Sequence, residues 1–152
     1  MRIPQILLFC TALAPVLTAT ANGASELDVD YAEHLPLVTE SMLLDITRAG
    51  DKLVAVGERG HVILSSDGEN WTQAEVVPTR ATLTTVAQAN GRLWAGGHDA
   101  VIITSGDGGN TWTPQFGDPE RQQAVMDIHF TDENHGVAIG SYGLYLVTSD
   151  GG

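Results

Sequence analysis

The chain has 152 residues, enough for one domain with a hydrophobic core. Its 19 Asp and Glu residues outnumber 7 Lys and Arg, which gives a formal net charge of −12. This balance argues against a general nucleic-acid or anionic-membrane binder, since both need a basic surface. Only one cysteine is present, Cys10, so no intramolecular disulfide can form.

The first 21 residues are typical of a signal peptide. A charged start at Arg2 precedes an apolar run over residues 6–19, which ends in the small-residue motif Ala19-Thr20-Ala21. The run is too short for a transmembrane helix. We therefore expect cleavage after Ala21, with Ala24 as the alternative. The mature protein is then exported, to the periplasm or another extracytoplasmic compartment, and has no direct membrane insertion.

Residues 22–41 form an acidic segment, and residues 35–38 within it are a candidate strand that Pro36 interrupts. From residue 42 onward, short runs rich in Val, Leu and Ile alternate with Gly, Asp and Asn, which predicts strands and tight turns. These runs fall into three units, residues 42–78, 79–117 and 118–152. The predicted strands are residues 43–47, 52–57, 61–66 and 71–77, then 82–87, 92–97, 101–105 and 112–116, then 125–130, 137–140 and 144–149.

A polar turn follows the third strand of each unit. It has the sequence Ser65-Ser66-Asp67-Gly68-Glu69-Asn70-Trp71, then Ser105-Gly106-Asp107-Gly108-Gly109-Asn110-Thr111-Trp112, then Thr148-Ser149-Asp150-Gly151-Gly152. An Asp side chain can accept hydrogen bonds from backbone N–H groups two or three residues on, Gly permits a positive φ, and Trp packs back on the turn. A repeat of about forty residues fits the four-stranded blade of a β-propeller.

The repeated turn resembles the Asp-box, or BNR, repeat of sialidases and their relatives. The run from Leu53 to Gly68, Leu-Val-Ala-Val-Gly-Glu-Arg-Gly-His-Val-Ile-Leu-Ser-Ser-Asp-Gly, is more specifically similar to the photosystem II stability/assembly-factor-like branch. The resemblance covers roughly residues 43–152, and a glycine stands ten residues before each turn Asp, at Gly57, Gly97 and Gly140. It implies an all-β fold, a β-propeller with four-stranded blades. It also implies a structural role for the turn residues Ser65, Asp67, Gly68, Trp71, Ser105, Asp107, Gly108, Trp112, Asp150 and Gly151.

The third unit stops inside its polar turn, before a fourth strand. Propellers have about four to eight blades, so two complete blades and one incomplete blade cannot close a ring. We therefore expect the chain to be the N-terminal part of a longer propeller, in which residues 35–38 pair into the last blade. The alternative is a short protein that completes its ring by oligomerising.

The up-and-down order of strands separates the loops into two faces. The polar turns lie on one face, whereas the tips between second and third strands and the connections between units lie on the other. The tips are Glu58-Arg59, His98-Asp99 and Ser141-Tyr142, and the connections carry Arg80 and Arg121. Since Arg and Tyr recur in binding surfaces, the candidate partner-binding residues are Glu58, Arg59, Arg80, His98, Asp99, Arg121 and Tyr142.

The leading functional hypothesis is a secreted, non-enzymatic propeller that binds a protein partner. By resemblance it acts as an assembly or stability factor; the client of the photosynthetic members is photosystem II, so a membrane-protein complex is a candidate partner. The alternative is a sialidase-type glycoside hydrolase that uses Arg59, Arg80, Arg121 and Tyr142. The Phe/Tyr-Arg-Ile-Pro element of that family is missing from the mature chain, and we assign no catalytic residue. The five His show no metal-ligand spacing, so we expect neither metal nor cofactor.

Overall fold

A computed structural model describes residues 29–152. The predicted signal peptide, residues 1–21, and the start of the acidic segment lie outside the described residues. The described part is an all-β propeller arrangement of three antiparallel sheets, two with four strands and one with three. Its helical segments are five 3₁₀ turns of three residues each. Within residues 29–152, none of the helical segments is long and apolar enough to cross a membrane.

Each sheet is one blade, and its strands follow each other in sequence from the inner to the outer edge. Blade 1 contains β1 (Leu43–Ala49), β2 (Lys52–Gly57), β3 (Val62–Ser65) and β4 (Thr72–Gln73). Blade 2 contains β5 (Leu83–Ala89), β6 (Arg92–Gly97), β7 (Ile102–Ser105) and β8 (Thr113–Phe116). Blade 3 contains β9 (Val125–Phe130), β10 (Gly136–Gly140) and β11 (Tyr145–Thr148).

The prediction of a strand over residues 35–38 is wrong. The chain turns there and forms a 3₁₀ turn at Val38–Glu40, because Pro36 has no N–H to donate to a sheet. Leu35 and Val38 instead pack on Ala55 and Ile63, on the side of blade 1 that faces away from blade 2. Residues 29–41, the described part of the acidic segment, therefore cover part of this side without joining a sheet.

The outer strand of blade 1 is shorter than the predicted residues 71–77. Only Thr72–Gln73 pairs as a strand, and Ala74 adds one further hydrogen bond to Val62. The N–H groups of Glu75 and Val76 then bond the carbonyl of Asn110 in the polar turn of blade 2. These hydrogen bonds to blade 2 replace pairing with β3, so β4 ends early. The local sequence does not predict this, because the competing carbonyl belongs to another blade.

The glycines that stand ten residues before each turn Asp have a common packing cause. A Cβ atom on Gly57, Gly97 or Gly140 would lie 2.0, 2.1 or 1.9 Å from the carbonyl oxygen of Met42, Thr82 or Ala124. Each of these carbonyls immediately precedes the first inner-strand residue, where the pairing of β1, β5 or β9 shifts register. The backbone of each glycine is extended, so close approach of two strands, not a positive φ, requires glycine.

The cores lie between the blades. Val54, Val56 and Leu64 of blade 1 pack against Leu83 and Ile103 of blade 2. The second core joins Trp94 and Ala100 of blade 2 to Val125, Ile128 and Leu144 of blade 3. Alternation along each strand gives every blade two apolar faces, one for each neighbour.

A carboxylate also joins the first two blades. Asp45 of β1 accepts the N–H of Ile46 at 2.8 Å with one oxygen. Its other oxygen accepts the N–H of Val86 at 2.8 Å and the hydroxyl of Thr85 at 3.2 Å, both from β5. The inner strands of blades 1 and 2 are therefore held together by polar as well as apolar contacts.

Candidate functional site

The loops divide between two faces of the molecule, as the strand order predicts. We call the face with the three polar turns, residues 65–71, 105–112 and 148–152, the Asp-turn face. The opposite face carries the three tips after β2, β6 and β10 and the connections between blades, and we call it the tip face. The two faces differ in how their polar groups are used.

On the Asp-turn face, Asp67 is saturated by its own turn. One carboxylate oxygen accepts hydrogen bonds from the Ser65 hydroxyl at 3.0 Å and from the amides of Glu69 at 2.9 Å and Asn70 at 2.7 Å. The other accepts the Asn70 side-chain amide at 2.7 Å. These bonds, with Asn70 first, hold the pKa of Asp67 well below its usual range. The carboxylate is thus occupied as a turn cap.

Asp107 has the same position in blade 2. It accepts the Thr111 hydroxyl at 2.6 Å, the Thr111 amide at 3.0 Å, the Asn110 amide at 3.0 Å and the Ser105 hydroxyl at 2.8 Å. Burial acts to raise the pKa of Asp107, but the bonds from Thr111, Ser105 and Asn110 outweigh it and lower the pKa to about 2. The indole N–H of Trp112 donates to the carbonyl of Gly109 at 2.8 Å, which fixes the Trp against the turn.

The third polar turn has the same frame. The Thr148 hydroxyl donates to Asp150 at 2.9 Å and accepts the Gly152 amide at 2.8 Å. Gly68, Gly108 and Gly151 adopt φ values of 80°, 79° and 91°, a region that favours glycine. All three Asp residues therefore bond within their own turns, which suits a structural role.

On the tip face, each tip is a three-residue 3₁₀ turn, not the predicted two-residue tip. The turns are Glu58–Gly60, His98–Ala100 and Ser141–Gly143. Their middle residues Arg59, Asp99 and Tyr142 have φ values of 56°, 58° and 52°, in the left-handed region that non-glycine residues rarely occupy. All three side chains are exposed, and the left-handed conformation is a feature that the sequence did not reveal.

The tips contact the connections that carry the predicted arginines. A Cβ on Gly60 would lie 2.0 Å from the carbonyl of Thr79, next to Arg80. The backbone amide of Asp118, three residues before Arg121, donates to the backbone carbonyl of Asp99 at 3.1 Å. The Gln123 side-chain amide donates to the carbonyl of Tyr142 at 3.1 Å. The predicted partner-binding residues thus lie around one face. The contacts that join the tips to the connections are made by backbone groups and neighbouring residues, not by the side chains of the predicted residues themselves.

The three arginines differ in their partners. Arg80 lies 3.1 Å from Glu33 and 3.7 Å from Asp30, both in the acidic segment. Arg121 bonds Asp118 at 2.7 Å. Arg59 forms no ion pair within residues 29–152. Two of the three cations are therefore already matched by carboxylates, so they do not form the convergent cluster that a sialidase needs for its substrate carboxylate.

The remaining predicted tip residues are also placed. Glu58 accepts the amide of Met42 at 3.1 Å with its carboxylate, and His98 is exposed. The side chain of Tyr142 is 88% exposed, and its hydroxyl makes no hydrogen bond to the described residues. Residues 29–152 contain no group of His, Cys, Asp and Glu that could hold a metal ion. The tip face thus presents exposed side chains such as His98 and Tyr142.

A groove that sequence analysis missed runs along the border of the tip face. Its volume is about 720 Å³, and it lies between the connection of blades 1 and 2, the blade 2 tip and the outer strand β8. Arg80 and Asp99 line it together with Phe116 and Pro119. Arg80 and Asp99, which the sequence analysis singled out, mark the position of this groove. Its other wall could not be predicted, because only the fold brings the blade 2 tip next to the outer strand β8.

Comparison with solved structures supports the architecture. YCF48 from Cyanidioschyzon merolae is similar with a TM-score of 0.62 and 26% identity, over 81% of this chain and 40% of that chain. A structure of YCF48 bound to D1 peptide is similar with a TM-score of 0.63 and 20% identity, over 74% of this chain and 38% of that chain. This chain thus spans about 40% of the length of these structures. These similarities confirm the predicted β-propeller fold. No protein-family profile and no curated protein matches the sequence.

Proposed function

We propose that this chain is part of a non-enzymatic, exported β-propeller that binds a protein segment on its tip face and acts as an assembly or stability factor. The polar turns are Asp-box repeats that hold the blades, and the tip face makes the contacts. The partner is a protein of a membrane complex, by analogy with the photosystem II assembly-factor-like branch. The division between saturated turns and exposed tips supports this assignment.

The observation that carries the proposal is the third tip. Tyr142 is held in a left-handed conformation with 88% of its side chain exposed. A strained backbone that presents a large aromatic group to solvent is a pattern of functional surfaces, and Tyr is among the residues that dominate binding energy at interfaces. An exposed Tyr142 side chain adds little to the stability of the fold, so contact with a partner explains it better.

The charged side chain of the tip face that has no ion-pair partner indicates the chemistry of the partner. Arg59 is the cation of the tip face that lacks a carboxylate partner within the described residues, on a chain with net charge −12. The groove that Arg80 lines at the border of the same face adds the apolar surfaces of Phe116 and Pro119. This combination favours an extended segment that carries a carboxylate next to apolar side chains. The structure of YCF48 bound to D1 peptide, at 20% identity, provides a precedent for peptide binding on this fold.

Charge reversal tests the tip face. Arg59→Glu should weaken capture of a partner from extracts of the source organism, whereas Lys52→Glu is the matched control on the exposed Asp-turn side of blade 1. Both residues are exposed, so the two variants should melt within a few degrees of the parent. The proteins recovered on each immobilised variant are quantified by mass spectrometry, with Tyr142→Ala as an independent third variant.

Equal recovery on Arg59→Glu, Tyr142→Ala and the control would overturn the tip-face assignment. Turnover of a sialoside that Tyr142→Phe abolishes would overturn the non-enzymatic assignment. Export is tested separately by N-terminal sequencing of the exported protein: we expect a start at Asn22 or Ser25, and an intact Met1 would contradict it.

A further inference from the structure

Part of the acidic segment is fastened to the outer edge of blade 1 by backbone and amide groups. The side chain of Gln73 in β4 bonds it twice, since Nε2 donates to the carbonyl of Glu33 at 2.7 Å and Oε1 accepts the amide of Leu35 at 3.1 Å. The amide of Ala32 donates to the carbonyl of Val77 at 3.0 Å. These bonds fix the path of the segment without using its carboxylates.

Residues 29–35, which we call the acidic strap, place two carboxylates beside Arg80. Nη1 of Arg80 lies 3.1 Å from Oε1 of Glu33 and 3.7 Å from Oδ1 of Asp30. The side chain of Arg80 is 39% exposed, and those of Asp30 and Glu33 are more than half exposed. Exposed ion pairs of this kind are weak, so another carboxylate can replace them.

The pairing of Arg80 is looser than that of Arg121. The guanidinium of Arg121 donates through Nε to Asp118 at 2.7 Å, whereas within residues 29–152 the guanidinium of Arg80 donates no hydrogen bond. An arginine binds a carboxylate most strongly through two parallel N–H donors. The donors of Arg80 are therefore available to a carboxylate that approaches in that geometry.

The start of the strap also lines the groove at the border of the tip face. Val29 and Asp30 form part of its wall, together with Arg80 and Phe116. Val29-Asp30 thus combines an apolar side chain with a carboxylate, which is the chemistry that the proposed function assigns to the partner. Because the bonds to blade 1 hold the strap in place, its carboxylates stay near Arg80 at a high effective concentration.

We propose that the acidic strap is an autoinhibitory segment, which occupies Arg80 until a partner with a better-aligned carboxylate displaces Asp30 and Glu33. The inference rests on the proposed function, since it concerns binding at the same face. Only the two acidic side chains need to move, because the backbone of the strap keeps its hydrogen bonds to Gln73 and Val77. The strap therefore weakens binding of acidic segments in general and favours those that pair with Arg80 through two bonds.

The reaction of Arg80 with phenylglyoxal, a reagent that modifies guanidinium groups, measures how far the strap shields it. Asp30→Asn combined with Glu33→Gln removes both charges with little change of shape. We expect Arg80 to react about two- to fivefold faster than in the parent, the scale of exposed ion pairs. The difference should shrink in about 1 M NaCl, where such pairs are screened. Peptide mass spectrometry locates the adducts, and Arg59, which has no ion pair within residues 29–152, is the internal reference.

Two controls separate the strap from general effects. Asp51→Asn combined with Glu69→Gln changes the net charge by the same amount, at exposed positions on the Asp-turn face of blade 1, and should leave the reaction of Arg80 unchanged. Gln73→Ala removes two hydrogen bonds to the strap but keeps its carboxylates, so it should also make Arg80 react faster. Thr72→Ala, at the neighbouring exposed position of β4, is its control.

Capture of partners separates this inference from the proposed function. The strap variant, Asp30→Asn with Glu33→Gln, should recover about two- to fivefold more of the proteins whose recovery falls with Arg59→Glu. A reaction rate of Arg80 equal to that in the charge-matched control would overturn the proposal. If Arg59→Glu lowers recovery but the strap variant does not raise it, the proposed function stands and autoinhibition is wrong. If Arg59→Glu has no effect, the proposed function fails and the strap has no binding to inhibit.

Discussion

At the scale of single residues, the repeated glycines show how a sequence signal can have an unexpected cause. Gly97 marks the unit repeat, and it is there because the carbonyl of Thr82 passes within reach of any Cβ atom. That carbonyl also accepts the amide of His98 at 2.9 Å, so it cannot move away without breaking this bond. Sequence analysis located the glycine from its spacing but could not identify the strand that crowds it.

Replacement of Gly97 by Ala should therefore lower the free energy of unfolding by about 2 kcal/mol or more, the scale of overpacking in a tight contact. Gly106→Ala is the control, because a Cβ at that position would meet nothing within 4 Å and its φ is not positive. Urea unfolding followed by circular dichroism measures both. Equal stability of the two variants would show that the close approach is relaxed in solution.

Asp107 gives a prediction for pH. Its pKa is lowered to about 2 from the model-peptide value of 3.8, so the folded state binds fewer protons than the unfolded state between these values. The contribution of Asp107 to stability is thus complete above about pH 4 and is lost as pH falls towards 2. We expect Asp107→Ala to cost about 1 kcal/mol at pH 6, as for a lost cap.

The difference between Asp107→Ala and the parent should shrink when urea unfolding is repeated at pH 2.5. A difference that stays constant between pH 6 and pH 2.5 would contradict a role for the ionised carboxylate. Glu69→Ala is a useful reference, because Glu69 is exposed in the neighbouring blade and only its backbone amide contributes to the Asp67 turn.

At the scale of strands and blades, Asp45 and Asp127 occupy the same position of the inner strand. Each accepts the amide of the following residue, Ile46 or Ile128, at 2.8 or 2.9 Å. Asp45 also accepts two hydrogen bonds from β5, whereas Asp127 makes no bond to a further blade within the described residues. A comparison of Asp45 with Asp127 therefore distinguishes the hydrogen bond within the strand from the hydrogen bonds between blades.

Asp45→Ala should destabilise the protein by about 2 kcal/mol, since it leaves the buried amide of Val86 without an acceptor. Asp127→Ala removes the same side chain but no contact between blades, so it should cost about 0.5 kcal/mol or less. Thermal melting of both variants at pH 7 measures the difference. Equal shifts in melting temperature would contradict the inter-blade role of Asp45.

The strands themselves were mostly predictable, because short β-branched runs between glycine-rich turns specify them locally. The eleven observed strands lie close to the predicted runs, with ends that move by a few residues. The errors are at residues 35–38 and 74–77, where another part of the chain takes over the hydrogen bonds or the apolar contact. The left-handed tips were missed for a related reason: of their middle residues only Asp99 is of a type that tolerates a positive φ, and at Arg59 and Tyr142 the surrounding fold imposes it.

At the scale of the whole molecule, the outward side of blade 3 is apolar and exposed. Ile139 is 48% exposed and Tyr145 is 65% exposed, although the matching residues of blade 1, Val56 and Val62, are fully buried by blade 2. Exposed apolar surface of this kind is a site for association. Among the described residues, no other blade covers this side of blade 3.

We expect this surface to bind the dye ANS in the 152-residue chain. Ile139→Lys combined with Tyr145→Lys should lower the ANS fluorescence markedly, since it places two charges on the exposed apolar side. Thr72→Lys combined with Thr113→Lys is the control, on exposed outer-strand positions of the other blades. A similar loss of fluorescence in both double variants would place the dye elsewhere.

The local closure of each polar turn has a consequence for synthesis on the ribosome. The turn around Asp67 makes its side-chain hydrogen bonds within three residues, so it can form as soon as that short stretch leaves the exit tunnel. Val54 and Leu64, in contrast, are covered by residues of blade 2, and the last of this cover, Trp112, follows Leu64 by 48 residues. The nascent chain therefore carries ordered hairpins with an open apolar side during this interval. A chaperone bound to that side would protect it from premature association.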